Sequence, residues 1–138
     1  MENWAESVLA GDRLAVARLI TAVENRQDGI LSIIDSLYSA SGHAFIIGVT
    51  GAPGTGKSSL VNRLAYKLRH PDNGATAKKI AVVAVDPTSP FSGGALLGDR
   101  VRMRDLAGDP GVFIRSMASR CALGGLNPSI FQVMRILD

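Results

Sequence analysis

The sequence predicts an α/β fold, a parallel sheet flanked by helices, with a helical extension at its N-terminal end. Three observations predict it. Apolar residues recur at helical spacing through residues 1–42. Short runs of branched apolar residues then follow at 44–50, 80–86 and 111–117. A segment with leucines at every fourth position separates the first two runs, and that strand–helix–strand order is the βαβ unit of a parallel sheet.

The bulk properties set the class. The 138 residues suffice for one domain with a real core. With 46% hydrophobic and 20% charged residues, the chain is not of the disordered type. Aromatic residues make up only 5%, so aliphatic side chains and alanine must fill the core. The net charge of +3 is spread along the chain, which suits a phosphate-bearing ligand. No basic run interleaved with aromatics is present, so nucleic acid is not an expected partner. Cys121 is the single cysteine, which rules out an intrachain disulfide and fits a reducing cytoplasm. No apolar run approaches the about 20 residues of a membrane span. The opening "MENWAESVLAGDR" is acidic and lacks a signal-peptide pattern.

The elements follow in order. Asn3 can cap a helix over Trp4–Ala10, which Gly11 ends. Asp12 can cap a second helix with Val16, Leu19, Ile20 and Val23 on one face. "DGILSIIDSLYSAS" places Ile30, Ile33, Ile34 and Leu37 at helical spacing, and Gly42 suits its end. "AFIIGVT" (44–50) reads as a buried parallel strand. A glycine loop leads into a helix from Lys57, with Leu60, Leu64 and Leu68 in line, which must end before Pro71. "IAVVAVD" (80–86) is a second strand. "DRVRMRDLAG" reads as helical, and "GVFIRSM" (111–117) is a third strand. "NPSIFQVMRILD" reads as a helix opening near Asn127 with Pro128 in its first turn. Its apolar face would be Ile130, Val133, Met134 and Leu137. Because such a helix normally leads into another strand, the chain is expected to be a fragment, or a naturally shortened copy, of a longer protein.

The chemistry concentrates in one loop. Gly51-Ala52-Pro53-Gly54-Thr55-Gly56-Lys57-Ser58 fits G-x-x-x-x-G-K-[ST] without a mismatch. Glycines let the backbone wrap closely, so that successive N–H groups point at phosphate oxygens. The following helix adds its positive N-terminal end. Lys57 would reach the outer phosphates, and the Ser58 hydroxyl would face a magnesium ion bridging them. A strand before the motif and an amphipathic helix after it are the context the motif needs. The fold is therefore read as a Rossmann-like P-loop NTPase.

Two acidic residues are candidate magnesium neighbours. Asp86 ends the second strand at the carboxyl edge of the sheet, where ligands of open α/β sheets bind. Spacing alone leaves it equally readable as a turn residue before Pro87. Asp99, taken alone, reads best as a helix cap. Between them "PTSPFSGGALLG" could order around a γ-phosphate and relax after hydrolysis. Arg100, Arg102, Arg104, Arg115 and Arg120 could touch phosphate or a partner, although most read as solvated or ion-paired.

Three blocks, "GVTGAPGTGKSSL", "VVAVDPTSPFSGGALLGDRVRM" and "VFIRSMASRCALGGL", together resemble the metallochaperone group of P-loop GTPases. Within it they look like the methylmalonyl-CoA mutase-associated branch (MeaB, or MMAA in animals), also known as ArgK, the LAO/AO transport ATPase. The resemblance reaches upstream to "AGDRLAVARLITAVEN" and covers nearly the whole chain.

The resemblance implies a magnesium-dependent GTPase, homodimeric at full length, that assists an adenosylcobalamin-dependent acyl-CoA mutase by gating cofactor loading and protecting the enzyme. It implies that Gly51, Ala52, Pro53, Gly54, Thr55, Gly56, Lys57, Ser58 and Ser59 hold the phosphates of GTP or GDP, with Lys57 as the catalytic residue. It implies that Ser58, Asp86 and Asp99 surround Mg2+, and that 87–98 is the first switch. Residues 1–42 would be the helical extension and 43–138 the N-terminal part of the GTPase domain. The family's "ETVGVGQ"-like second switch, its guanine-reading "NKxD"-like segment and its helical dimerisation arm are not among these residues, and Cys121 stands where the family pattern has glycine. Guanine over adenine is therefore implied by resemblance alone. The alternatives are an ATP-dependent small-molecule or transport-protein kinase or ATPase of the same fold, or an inactive fragment.

Overall fold

The first helix, α1, spans Trp4–Leu9 and buries Val8. Gly11, at a left-handed φ of 80°, turns the chain toward the next helix. Here the computed structural model describes residues 4–86, 103–119 and 127–138; the expected Asn3 cap lies outside them. Helix α2 spans Arg13–Glu24, and Asp12 caps it as expected. Its carboxylate accepts N–H bonds from Leu14 (2.7 Å) and Ala15 (3.2 Å), which satisfies two of the orphan donors of the first turn. Leu19, Ile20, Ala22 and Val23 are its buried face.

Helix α3 spans Ile30–Leu37 and buries Ile30, Ile34 and Leu37. A single 3₁₀ turn, Tyr38–Ala40, extends it. The last helix of the chain, Ile130–Leu137, buries Val133 and Ile136. It packs on α2 and α3, while α1 packs on both α2 and α3. These four helices belong to one compact unit, Met1–Ile46 with Pro128–Asp138; the other is Ile47–Asn127. The final helix thus groups with the N-terminal helices, whereas the sequence division ran 1–42 and 43–138.

That helix starts later than expected. Asn127 does not open it: its side-chain amide is buried and donates to Ala118 O (2.6 Å), closing the end of a strand instead. Ser129 occupies the cap position, and Pro128 precedes the helix rather than lying in its first turn.

In the second unit, α4 spans Lys57–Arg69, β1 spans Ile80–Asp86 and β2 spans Val112–Ala118; the final helix is therefore α5. Helix α4 ends at Arg69, before Pro71, as expected. The strands pair in parallel, from Ile80 opposite Val112 to Asp86 opposite Ala118. Ala65, Leu106 and Val112 form the core of this unit, with Ile80 and Ile114 packed against it. This mixture of helices with a parallel sheet is an α/β fold of the P-loop NTPase type.

The sequence expectation fails at one strand. Residues 44–50 join no sheet among the described residues. Phe45 is 90% exposed, and Ile46 and Ile47 are exposed beside it. A parallel strand needs a neighbour for its ladder, and the N–H groups leading into this segment have another acceptor. Those of Gly42, His43 (3.0 Å) and Ala44 (2.6 Å) all donate to the Asp138 carboxylate. These bonds, that of Gly42 foremost, hold the Asp138 carboxyl below the usual carboxylate range. The helix expected over 99–108 lies partly outside the described residues; within them only a 3₁₀ turn forms, Arg104–Leu106.

Candidate nucleotide-phosphate site

The glycine loop has the backbone its composition demands. Gly54 (φ 78°) and Gly56 (φ 88°) are left-handed, which side chains with a Cβ resist. At Gly51 an added Cβ would press on Thr55 Oγ1 at 3.3 Å, so that hydroxyl would have to give by a few tenths of an ångström. The loop folds around one carbonyl. Both the Thr55 hydroxyl and the Lys57 ammonium donate to Ala52 O, each at 2.8 Å. Residues 51–56 are exposed, while Lys57 and Ser58 are half-buried.

Gly56 is the N-cap of α4 and brings no capping side chain. The first bond of the helix is Leu60 N–H to Gly56 O (2.9 Å). The backbone N–H groups of the first turn therefore have no intrahelical acceptors, and with the helix dipole they favour an anion at this end. An exposed loop with left-handed glycines, a helix N-terminus and one amine is chemically suited to a phosphate group. Hard oxygen donors suit Mg2+, and Ser58 and Asp86 are of that type.

The candidate site residues are placed unequally. Gly51, Ala52, Thr55 and Lys57 come together around the Ala52 carbonyl. Pro53 and Gly54 form the exposed tip, and Ser58 and Ser59 lie in the first turn of α4. Asp86 is the last residue of β1, in register with Ala118. Asp99, the expected switch 87–98, Arg100, Arg102, Arg120 and Cys121 lie outside the described residues. Arg115 is half-buried in β2, opposite Val83.

The sequence reading passed over a group at the far end of α4. Arg69 donates from Nε (2.9 Å) and Nη2 (2.7 Å) to the two oxygens of Asp109, and from Nη1 to Lys78 O (2.8 Å). Asp109 Oδ1 also accepts the Gly111 N–H at 2.7 Å. The Arg69 bond, then that of Gly111, keeps the Asp109 carboxyl below its ordinary range. Asp-Pro-Gly before a strand is a legible turn signal; its arginine partner, forty residues earlier, is not.

Comparison with known proteins places the chain in a family. A family model described as "Methylmalonyl Co-A mutase-associated GTPase MeaB" matches residues 16–138. The chain belongs to the MeaB family. A Pyrococcus horikoshii protein bearing a GTPase name is 50% identical over 138 residues, all of this chain and 42% of that protein. GTPase ArgK of Escherichia coli is 36% identical over 132 residues, 93% of this chain and 38% of that protein. The fused isobutyryl-CoA mutase of Cupriavidus metallidurans is 42% identical over 117 residues, 83% of this chain and 10% of that protein. The chain spans about two-fifths of the length of the GTPase-named relatives. Among the described residues, no helix is long and apolar enough to cross a membrane.

Proposed function

We propose that this MeaB-family chain is the phosphate-binding segment of a cytoplasmic GTPase that assists an adenosylcobalamin-dependent acyl-CoA mutase. The observation that carries the reading is the loop from Gly51 to Lys57, folded about the Ala52 carbonyl at the uncapped start of α4. The name of the fused isobutyryl-CoA mutase relative supports the mutase as partner. Homodimerisation of the whole protein is part of the same reading.

In this account the loop N–H groups hold the phosphates of GTP or GDP, and Lys57 exchanges Ala52 O for the outer phosphate oxygens. Ser58, Asp86 and Asp99 hold Mg2+, which when bound neutralises charge developing on the transferred phosphate. Ser59 completes the phosphate contacts from the first turn of α4.

Calorimetric titration of this chain with GDP and magnesium, with ADP as control, tests the reading. Binding of GDP, with ADP bound comparably, is the expected result, because the guanine-reading segment of the resembled family is not among these residues. Selective GDP binding would show that these residues themselves read the base, and silence with both would overturn nucleotide binding by these residues. Binding to a purified methylmalonyl-CoA mutase, with GDP present and absent, tests the partner; no association in either state would overturn it.

A further inference from the structure

Two helices of the first unit are tied together at both ends. The N-cap of α5, Ser129, donates from Oγ to Val23 O (3.5 Å), at the C-terminal end of α2. The start of α3 is held at that same end: Gln27 N–H donates to Ala22 O (3.1 Å), and Ile30 N–H to Gln27 O (3.3 Å). At the other ends, the Arg135 guanidinium stands 4.7 Å from the centre of the Tyr38 ring, and Asp138 accepts the N–H groups of Gly42, His43 and Ala44. Helices α3 and α5 therefore run side by side in the same direction. Each has eight residues and so is about 12 Å long.

Their outward faces match position by position. Leu31 and Phe131 are the second residues of their helices, and Asp35 and Arg135 the sixth. Residues four apart share a helix face, and Tyr38, seven after Leu31, lies on it too. Leu31 is 63% exposed, Tyr38 64% and Phe131 72%. Together they show on the order of 300–400 Å² of apolar surface, the size at which a patch on a soluble protein is often functional. Asp35 is exposed beside them. Among the described residues no ion pair takes up its carboxylate, and Arg135 lies over Tyr38 instead.

A face with an acid on one helix and a base at the matching position of the next is complementary to itself. A two-fold axis between α3 and α5, parallel to both, sets α3 of one copy against α5 of another at the same level. Leu31 then meets the partner's Phe131, and Asp35 the partner's Arg135, each pair occurring twice. We propose that the α3–α5 face is a self-association surface, whose occupant is a second copy of this chain. The inference rests on the homodimer reading given above and supplies its surface. Aromatic and arginine side chains are what the centres of interfaces favour. With its polar rim the contact buries about 1,200 Å² in all, the lower end of specific interfaces, so the dimer is weak.

Sedimentation of the unmutated chain from low micromolar to millimolar concentration should show a passage from monomer to dimer. A monomer throughout would overturn the surface, while GDP titration of the same sample would still report nucleotide binding separately. Asp35→Arg and Arg135→Asp each set like charges opposite one another twice, and each should weaken association at least about tenfold. Mixed in equal amounts, the two variants recover both opposite-charge pairs, and a heterodimer should form as readily as the parent dimer. Single variants that associate like the parent would overturn this face and leave the homodimer reading standing. Singles that remain monomeric when mixed would overturn the two-fold arrangement. Thermal midpoints show whether each charge variant folds. Where one does not, Phe131→Ser, at a side chain mostly in solvent, decides: it should also weaken association about tenfold, and association equal to the parent's would overturn the face.

Discussion

Arg69 and Asp109 meet through two parallel hydrogen bonds, Nε to Oδ2 at 2.9 Å and Nη2 to Oδ1 at 2.7 Å. Such bidentate geometry is what the planar guanidinium favours. The pair joins the end of α4 to the entrance of β2, and the third Arg69 bond reaches Lys78 O just before β1. It therefore pins the helix that begins at the phosphate loop to both strands of the sheet. Arg69 stays charged at all relevant pH, so the carboxyl sets the pH dependence. The folded carboxyl titrates below its unfolded value of about 4. Its stabilisation is thus complete above that value and lost as pH falls through the lower, folded one. Asp109→Asn should lower the thermal midpoint at pH 7 and narrow the loss between pH 5 and pH 3, the range chosen for the scan. Identical pH profiles for variant and parent would contradict the pin.

Gly111 is the steric partner of that pair. A Cβ at this position would lie 2.2 Å from Arg69 Cζ. The guanidinium could move only by giving up its bonds to Asp109 and Lys78. Gly111→Ala should therefore destabilise the chain much as Arg69→Ala does. Added to Arg69→Ala, it should cost little more, because the clashing group is gone. Unfolding midpoints of the two singles and the double check this. Additive losses would mean that Gly111 acts by some other route.

The helices were legible because their signals are local. Asp12 lies where a cap must lie, and Leu19, Ile20 and Val23 recur at helical spacing. The glycine loop was legible because its chemistry is written in consecutive residues. The strand at 44–50 misled because an apolar run states a preference for burial without naming the neighbour that would provide it. Its leading N–H groups go to Asp138, more than ninety residues later, and no local pattern announces that pairing. The Asn127 bond to Ala118 displaced the start of α5 for a similar reason, since a side chain fit to cap a helix was used on a strand.

The Asp12 cap offers a calibration that is independent of any ligand. Its carboxylate accepts two first-turn N–H bonds of α2. Asp12→Ala should cost about 1 kcal/mol of stability, read by urea unfolding. Because Asp12 and Lys57 belong to different compact units, GDP affinity should stay unchanged. A loss of affinity in this variant would show that the N-terminal helices influence the loop.

The Lys57 ammonium makes one hydrogen bond among the described residues, to Ala52 O within its own exposed loop. Its removal should therefore leave the thermal midpoint nearly unmoved. In the proposed function it exchanges that bond for phosphate oxygens. A hydrogen bond to a charged group is worth about 1.5–3 kcal/mol, so Lys57→Ala should weaken GDP binding by roughly 10- to 100-fold. Calorimetry checks the affinity and a thermal scan checks the fold. Unaltered affinity in a folded variant would remove Lys57 from the site.

The segment 45–50 makes the most direct prediction about the fold. Phe45, Ile46 and Ile47 are exposed, and no strand pairs with them among the described residues. Amides outside a hydrogen-bonded ladder open at little cost, whereas those inside one exchange only through larger unfolding. The N–H groups of Phe45–Thr50 should exchange with deuterium within the dead time of a mixing experiment. Those of Val82–Val85, inside the β1–β2 ladder, should be protected for far longer. Ala44, held by Asp138, should fall between them and lose its protection in Asp138→Ala, which removes the acceptor. Protection of Phe45–Thr50 equal to that of Val82–Val85 would show that this run pairs in solution as its apolar sequence demands. The Asp138 contact would then compete with the strand rather than define the resting structure.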